Sequence, residues 1–165
     1  MKTLRAAGGV KRYHTVPIIG QQTVAEHSFQ VCLILTQVFE KKVTANLLKA
    51  ALFHDLAEVE TGDIPAPAKR RYKELHAGAI MAEVTFEREH KIDVGLSKEE
   101  HKMLKFADCY ELVLFCFDQL ELGNRNVLEV LGNGLAYLQE LDGLGVTAEF
   151  LIETAEKKYH GYTKR

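Results

Sequence analysis

A run of apolar residues at helical spacing (Leu47, Leu48, Ala51, Leu52, Phe53) leads directly into His54 and Asp55, with Glu58 one turn later. This stretch constrains the fold more than any other. A helix that buries its apolar side here carries an imidazole and carboxylates towards the core, which is costly unless something pairs with them. A divalent metal is a natural partner, because neutral His and ionised Asp are both good ligands for first-row ions. Thr61, Gly62 and Asp63 then break the helix, and Pro65 keeps it broken. On a helix, neighbouring residues diverge by ~100°, so the His and the shorter Asp can approach one ion from two sides. Further donors must come from elsewhere in the chain.

With 3 Pro in 165 residues and helical spacing nearly throughout, the expected class is all-α, one domain of about six to seven helices. A net charge of -2 gives no basic field, which argues against a nucleic-acid polymer as partner. The three cysteines, Cys32, Cys109 and Cys116, lie in apolar runs without a C-x-x-C and read as reduced core thiols. Met1 to Arg5 turns polar too quickly for a signal peptide, and no apolar run approaches ~18 residues. The expectation is a soluble, cytoplasmic protein (the host's cytoplasm if phage-encoded) with no membrane partner.

A short helix over residues 2–7 ends at Gly8 and Gly9. The segment from Val10 to Gly20 is irregular or extended and carries Arg12, Tyr13 and His14, which suits either a surface loop or a ligand-facing one. Thr23 and Glu26 form a capping box for a helix to about Lys41, with Val24, Phe29, Val31, Leu33, Ile34, Leu35 and Val38 apolar and His27 in its first turn. Thr44 caps the next helix, expected to end near Glu58. Residues 68–90 read as one helix burying Leu75, Ala79, Ile80, Ala82 and Phe86, closed by the 92–95 segment. His76, His90 and His101 match no ligand spacing and are assigned to the surface.

Ser97 and Glu100 make a second capping box for a helix to about Leu122. Asp108 lies in its core-facing middle and needs a partner. Residues 113–117 are apolar all round, which suits full burial or a neighbouring subunit. Helices over 126–141 and 147–159 close the chain, the last capped by Thr147, and residues 160–165 are expected to fray.

His27, His54, Asp55 and Asp108 form the pattern H…HD…D, which resembles the HD-domain phosphohydrolases. Arg12-Tyr13, Glu26-His27-Ser28, His54-Asp55-x-x-Glu58-x-x-Thr61-Gly62-Asp63-x-Pro65-x-Pro67-x-Lys69 and Ala107-Asp108 sharpen the match. They look like the 5′-deoxynucleotidase branch and the compact phage-type dATP triphosphohydrolases. The resemblance covers roughly residues 10–115 and implies a helical HD bundle, with closing helices over about 116–160. It implies that His27, His54, Asp55 and Asp108 hold one divalent transition metal ion, with Co, Zn, Mn, Fe and Ni suited nearly equally. Glu58 and Asp63 would be the acids near the scissile phosphate, and Arg12, Tyr13 and Lys69 would contact the substrate. The relatives often carry Trp at the Tyr13 position, and this chain has none. A homo-oligomer, dimer or hexamer, is also implied.

The implied activity is hydrolysis of a deoxynucleotide, with dNTP triphosphohydrolase favoured by the compact length and dNMP nucleotidase as the alternative. A non-catalytic nucleotide sensor is a competing class, but it would be expected to lose an acid of the Glu58/Asp63 pair, and both are present. A purely structural metal site would favour Cys ligands. A cyclic-dinucleotide phosphodiesterase would carry a Gly-Tyr-Pro-type signature, which is absent.

Overall fold

Side-chain caps set the starts of the helices that begin at Val24, Ala45 and Lys98. The computed structural model describes residues 2–164 except Asp93. Among the described residues there are nine α-helices, two 3-10 turns and no strand. They are α1 (Lys2–Ala7), α2 (Val24–Phe39), α3 (Ala45–Phe53), α4 (Glu58–Thr61), α5 (Ala66–Arg71), α6 (Lys73–His90), α7 (Lys98–Glu121), α8 (Leu128–Gln139) and α9 (Val146–Thr163). Both expected capping boxes form: Glu26 accepts from the Thr23 amide at 2.7 Å and Glu100 from the Ser97 amide at 2.8 Å. Thr44 caps α3 through the Leu47 amide at 3.0 Å and donates its hydroxyl to Glu100, so the starts of α3 and α7 are tied together. Each such cap stabilises its helix by about 1 kcal/mol.

The core forms around α7, against which α2, α3 and α8 pack. Phe106, Val113 and Cys116 on α7, Val31 and Leu35 on α2, Leu47 and Ala51 on α3, and Leu131 and Leu138 on α8 are all buried. Gly134 lets α8 approach closely, since a Cβ there would lie 2.9 Å from Leu112 Cδ2. A smaller cluster joins Ala7, Leu56, Ala57 and Phe86. No described helix is long and apolar enough to cross a membrane.

Several expected elements come out differently. The helix expected to reach Glu58 stops at Phe53, because the chain tightens into i→i+3 bonds, Leu56 amide to Phe53 carbonyl at 3.0 Å and Glu58 amide to Asp55 carbonyl at 3.1 Å. The 68–90 helix is broken at extended Tyr72 into α5 and α6; neither Gly nor Pro marks the break, so helical spacing ran across it. These two breaks raise the helix number above the six to seven expected. On α6 Ala79 and Phe86 are buried, but Leu75 and Ile80 are exposed, as are Phe29 and Leu33 on α2. Within 113–117, Val113, Cys116 and Phe117 are buried and Leu114 faces out.

His76 and His101 are exposed, whereas His90 is half-buried and stacks on Phe86 with ring centroids 4.1 Å apart. Gly145, not Thr147, precedes α9, and no side chain caps it. That helix continues through the expected fraying segment to Thr163, because Arg125 holds the Tyr162 carbonyl at 3.0 Å and Tyr162 rests on Phe117. Arg165, and Asp93 within the expected 92–95 break, lie outside the described residues.

Candidate active site

The tightened turn after α3 delivers His54 and Asp55 to a point faced by the first turn of α2 and the middle of α7. His27, wholly buried, comes from α2. His27 Nε2 and His54 Nε2 are 3.2 Å apart, and Asp55 Oδ2 lies 3.7 Å from the first and 3.4 Å from the second. One donor atom from each of these three residues lies within 4.8 Å of the others, a group that could hold a metal ion. Asp108 Oδ1 approaches from α7, 3.1 Å from His27 Nε2 and 3.8 Å from His54 Nε2. All four residues expected to meet are therefore brought together.

The outer nitrogens of the two rings are occupied. His54 Nδ1 lies 2.9 Å from the Ala51 carbonyl oxygen, which can only accept, so that nitrogen carries a proton. His27 Nδ1 lies 2.5 Å from Glu111 Oε2. With both Nδ1 atoms protonated, the two Nε2 atoms present lone pairs to each other and to two carboxylates. Such a convergence of acceptors requires a proton or a cation among them. Burial opposes charge on His54, yet Asp55 and Asp108 outweigh it and hold its pKa up to about 9. Asp108 is held well below its ordinary range, since bonds to His27 and His54 overcome its burial. The donor set thus fits a divalent ion, which would take the place of that proton.

The 8–23 loop supplies a cation. Tyr13 sits at φ 58, the left-handed region that non-glycine residues rarely enter, and its amide donates to Asp63 Oδ2 at 3.2 Å. Its ring stacks on Phe115, centroids 4.5 Å apart. The preceding Arg12 donates Nη1 to Asp55 Oδ2 at 2.7 Å. Burial works against the guanidinium charge, but Asp55 more than restores it and the pKa is raised.

Glu58 has its Oε2 buried without a hydrogen-bond partner. Burial, then the charges of Asp55 and Asp63, push its pKa up to about 8 against the pull of Arg12 and Lys69. Arg12, Tyr13, Glu58, Asp63, Lys69 and Asp108 line one cleft of about 280 Å³. A neighbouring chamber of about 420 Å³ shares Lys69, Asp108, Leu112 and Val130 with it and adds Arg70, His76 and Lys105.

Glu111, Gln22 and this chamber are functional features that the sequence motifs do not include. Glu111 carried a usable signal: like Asp108, it is an acid in an apolar stretch of α7, one turn further on. The chamber had none, because Arg70, His76 and Lys105 lie on different helices and meet only in the fold.

The chain is a hydrolase of the HD-domain class, by the family it matches and by its relatives. Residues 9–112 match the HD domain family, and the chain belongs to it. It is 29% identical over 138 residues to a 5′-deoxynucleotidase of Vibrio vulnificus, covering 70% of this chain and 71% of that one. It is 33% identical over 118 residues to a dATP triphosphohydrolase of cyanophage S-2L, covering 66% and 65%. Among solved structures, an HD-domain phosphohydrolase from Listeria innocua aligns with TM-score 0.77 at 22% identity, covering 97% of this chain and 87% of that one. The cyanophage S-2L HD phosphohydrolase bound to dA and one catalytic Zn²⁺ aligns with TM-score 0.63 at 23% identity, covering 98% and 96%. At these identities the structures share the fold.

Proposed function

We propose that the cleft is the active site of a metal-dependent deoxynucleotide hydrolase whose substrate is a dNTP of the dATP type, cut to deoxynucleoside and triphosphate. The convergence of His27, His54, Asp55 and Asp108 beside Arg12, Glu58 and Asp63 carries the hydrolase reading. The four donors would hold one divalent ion, which supplies Lewis acidity towards a phosphate oxygen and an attacking water. Arg12 offsets charge on the α-phosphoryl group from its place against Asp55. Water attacks the α-phosphorus and the bond to the sugar's 5′ oxygen breaks. One of Glu58 and Asp63 removes the water's proton and the other protonates the departing 5′ oxygen. Glu58, pushed towards its protonated form, suits the donor's task. The apolar side of the cleft, with Val16, Ile64, Leu112 and Val130, offers room for the sugar and base.

The adjoining chamber supports a triphosphate, since Lys69, Arg70 and Lys105 are among its lining residues together with Asp108. Hydrogen bonds to charged groups contribute about 1.5–3 kcal/mol each. Arg70→Ala and Lys105→Ala are therefore expected to raise KM for a dNTP about tenfold or more and to leave the affinity for the dNMP unchanged. The deciding assay incubates each dNTP and dNMP with Co²⁺ or Mg²⁺ and resolves the products. Intact triphosphate is the expected product. Inorganic phosphate released from dNMPs alone would establish the nucleotidase reading, which the similarity to the Vibrio enzyme favours.

A homo-oligomer, dimer or hexamer, completes the proposal. Phe29 and Leu33 stand one turn apart on the exposed side of α2, where a second copy would cover them. Light scattering is expected to give a multiple of the 18.6 kDa chain mass; a monomer at assay concentrations contradicts this.

A further inference from the structure

We propose that Glu111 is a positioning residue for the metal site, holding the His27 ring so that Nε2 faces the ion with its lone pair free. The inference rests on His27 being a ligand, as proposed above.

Glu111 is 4% exposed, and a carboxylate is costly in such a place unless its oxygens are satisfied. Both are: Oε2 lies 2.5 Å from His27 Nδ1, and Oε1 accepts from Gln22 Nε2 at 2.7 Å. His54 meets the same need by donating to the Ala51 carbonyl of its own helix. His27 projects from the first turn of α2 across to α7 and takes a side-chain acceptor there instead. Without it, the Nδ1 proton would be buried and unsatisfied, or the tautomer would switch. A proton on Nε2 would then point at His54 Nε2, 3.2 Å away, and block the position of the ion.

A carboxylate on the far nitrogen also makes the imidazole a stronger donor than a carbonyl partner does. Glu111 stands three residues after Asp108, on the same side of α7. One turn of a rigid helix thus carries one candidate ligand and the support of another. The 3.1 Å separation of Asp108 Oδ1 from His27 Nε2 is fixed by α7 from both ends.

The test compares full-length wild type, Glu111→Gln and Glu111→Ala by Co²⁺ titration, and by ring nitrogen NMR of the Zn²⁺-loaded proteins. Glu111→Gln keeps the shape, and a flip of the Gln22 amide can restore complementary bonds, so its fold and Tm should stay near wild type. Its Co²⁺ affinity is expected to fall about 10- to 100-fold, and that of Glu111→Ala at least as far. In the wild type, His27 should be ligated through Nε2 and carry a far-downfield Nδ1 proton, which moves upfield in Glu111→Gln. A purely structural role would lower Tm and leave the Co²⁺ affinity of the folded variants unchanged.

Unchanged Co²⁺ affinity in folded variants overturns the proposal, as does ligation of His27 through Nδ1. If Glu111→Ala does not fold, Glu111→Gln and the proton shift decide. Wild type that binds no Co²⁺ overturns both this inference and the metal site. Wild type that binds Co²⁺ but cleaves no deoxynucleotide overturns the substrate reading and leaves this one standing.

Discussion

Asp55→Ala is expected to lower deoxynucleotide turnover by at least about a thousandfold. A metal's stabilisation of transition-state charge is worth several kcal/mol, and each 1.36 kcal/mol is a factor of ten in rate. Asp55 Oδ2 serves two neighbours, lying 3.4 Å from His54 Nε2 and 2.7 Å from Arg12 Nη1. Removing it would take away a proposed metal donor and also leaves a guanidinium, 12% exposed, without its carboxylate. Breaking such a pair costs up to about 3–5 kcal/mol, so the alanine variant should also melt earlier. Asp55→Asn separates the two effects, because its amide oxygen can still accept from Arg12 while the negative charge is gone. Its Tm should recover much of the loss while turnover stays low and bound metal falls. Turnover at the wild-type level in a folded Asp55→Ala protein would mean that the metal is not where the reaction happens.

The second large effect concerns Glu58. Glu58→Gln is expected to reduce kcat by about 10²- to 10⁴-fold, the usual contribution of a positioned acid or base. As the proposed proton donor, Glu58 should give wild-type activity an alkaline limb as its proton is lost, and that limb should be missing from the residual activity of the variant. A cation beside Asp55 favours the ionised carboxylate, so in the loaded enzyme the limb should fall below the value of about 8 that applies without metal.

Stability without metal carries the same signature. The folded pKa lies above the ordinary value of 4.5, so between about 4.5 and about 8 the unfolded chain has released this proton and the folded one has not. Stability therefore falls as pH rises through that window and levels off above it. With chelator present, Glu58→Gln should melt above wild type at pH 8, by roughly 2–4 °C per kcal/mol relieved, and the gap should close towards pH 4.5. Equal melting curves at both pH values would show that Glu58 is not held in the buried, acid-flanked setting described. Wild-type kcat in the variant would remove it from the reaction.

Much of the site could be read from the chain because its donors are chemically conspicuous. His27, His54, Asp55 and Asp108 are polar groups set in apolar helical runs, and the cost of burying them unpaired marks them without any knowledge of the fold. The capping boxes at Thr23 and Ser97 are equally local, each a hydroxyl and a carboxylate three residues apart. The departures of the fold from local expectation have long-range causes. Helical spacing carried one helix through His54 and another through Tyr72, because nothing within a few residues announces either break. Likewise, Arg125 and Phe117, distant in sequence, hold the last turn of α9 that a terminal segment would ordinarily lose.

The amino-acid sequence by itself determined the all-α class, the capped starts of α2, α3 and α7 and the set of residues rich enough in chemistry to form a site, because each follows from contacts within one or two turns. Tertiary structure alone decided that Arg12 faces Asp55, that Glu111 takes the far nitrogen of His27, and that a basic chamber adjoins the cleft. Those pairings join side chains 43 and 84 positions apart, and the chamber gathers residues from separate helices. No local propensity encodes such distances; they are set by how α2, α3 and α8 pack around α7.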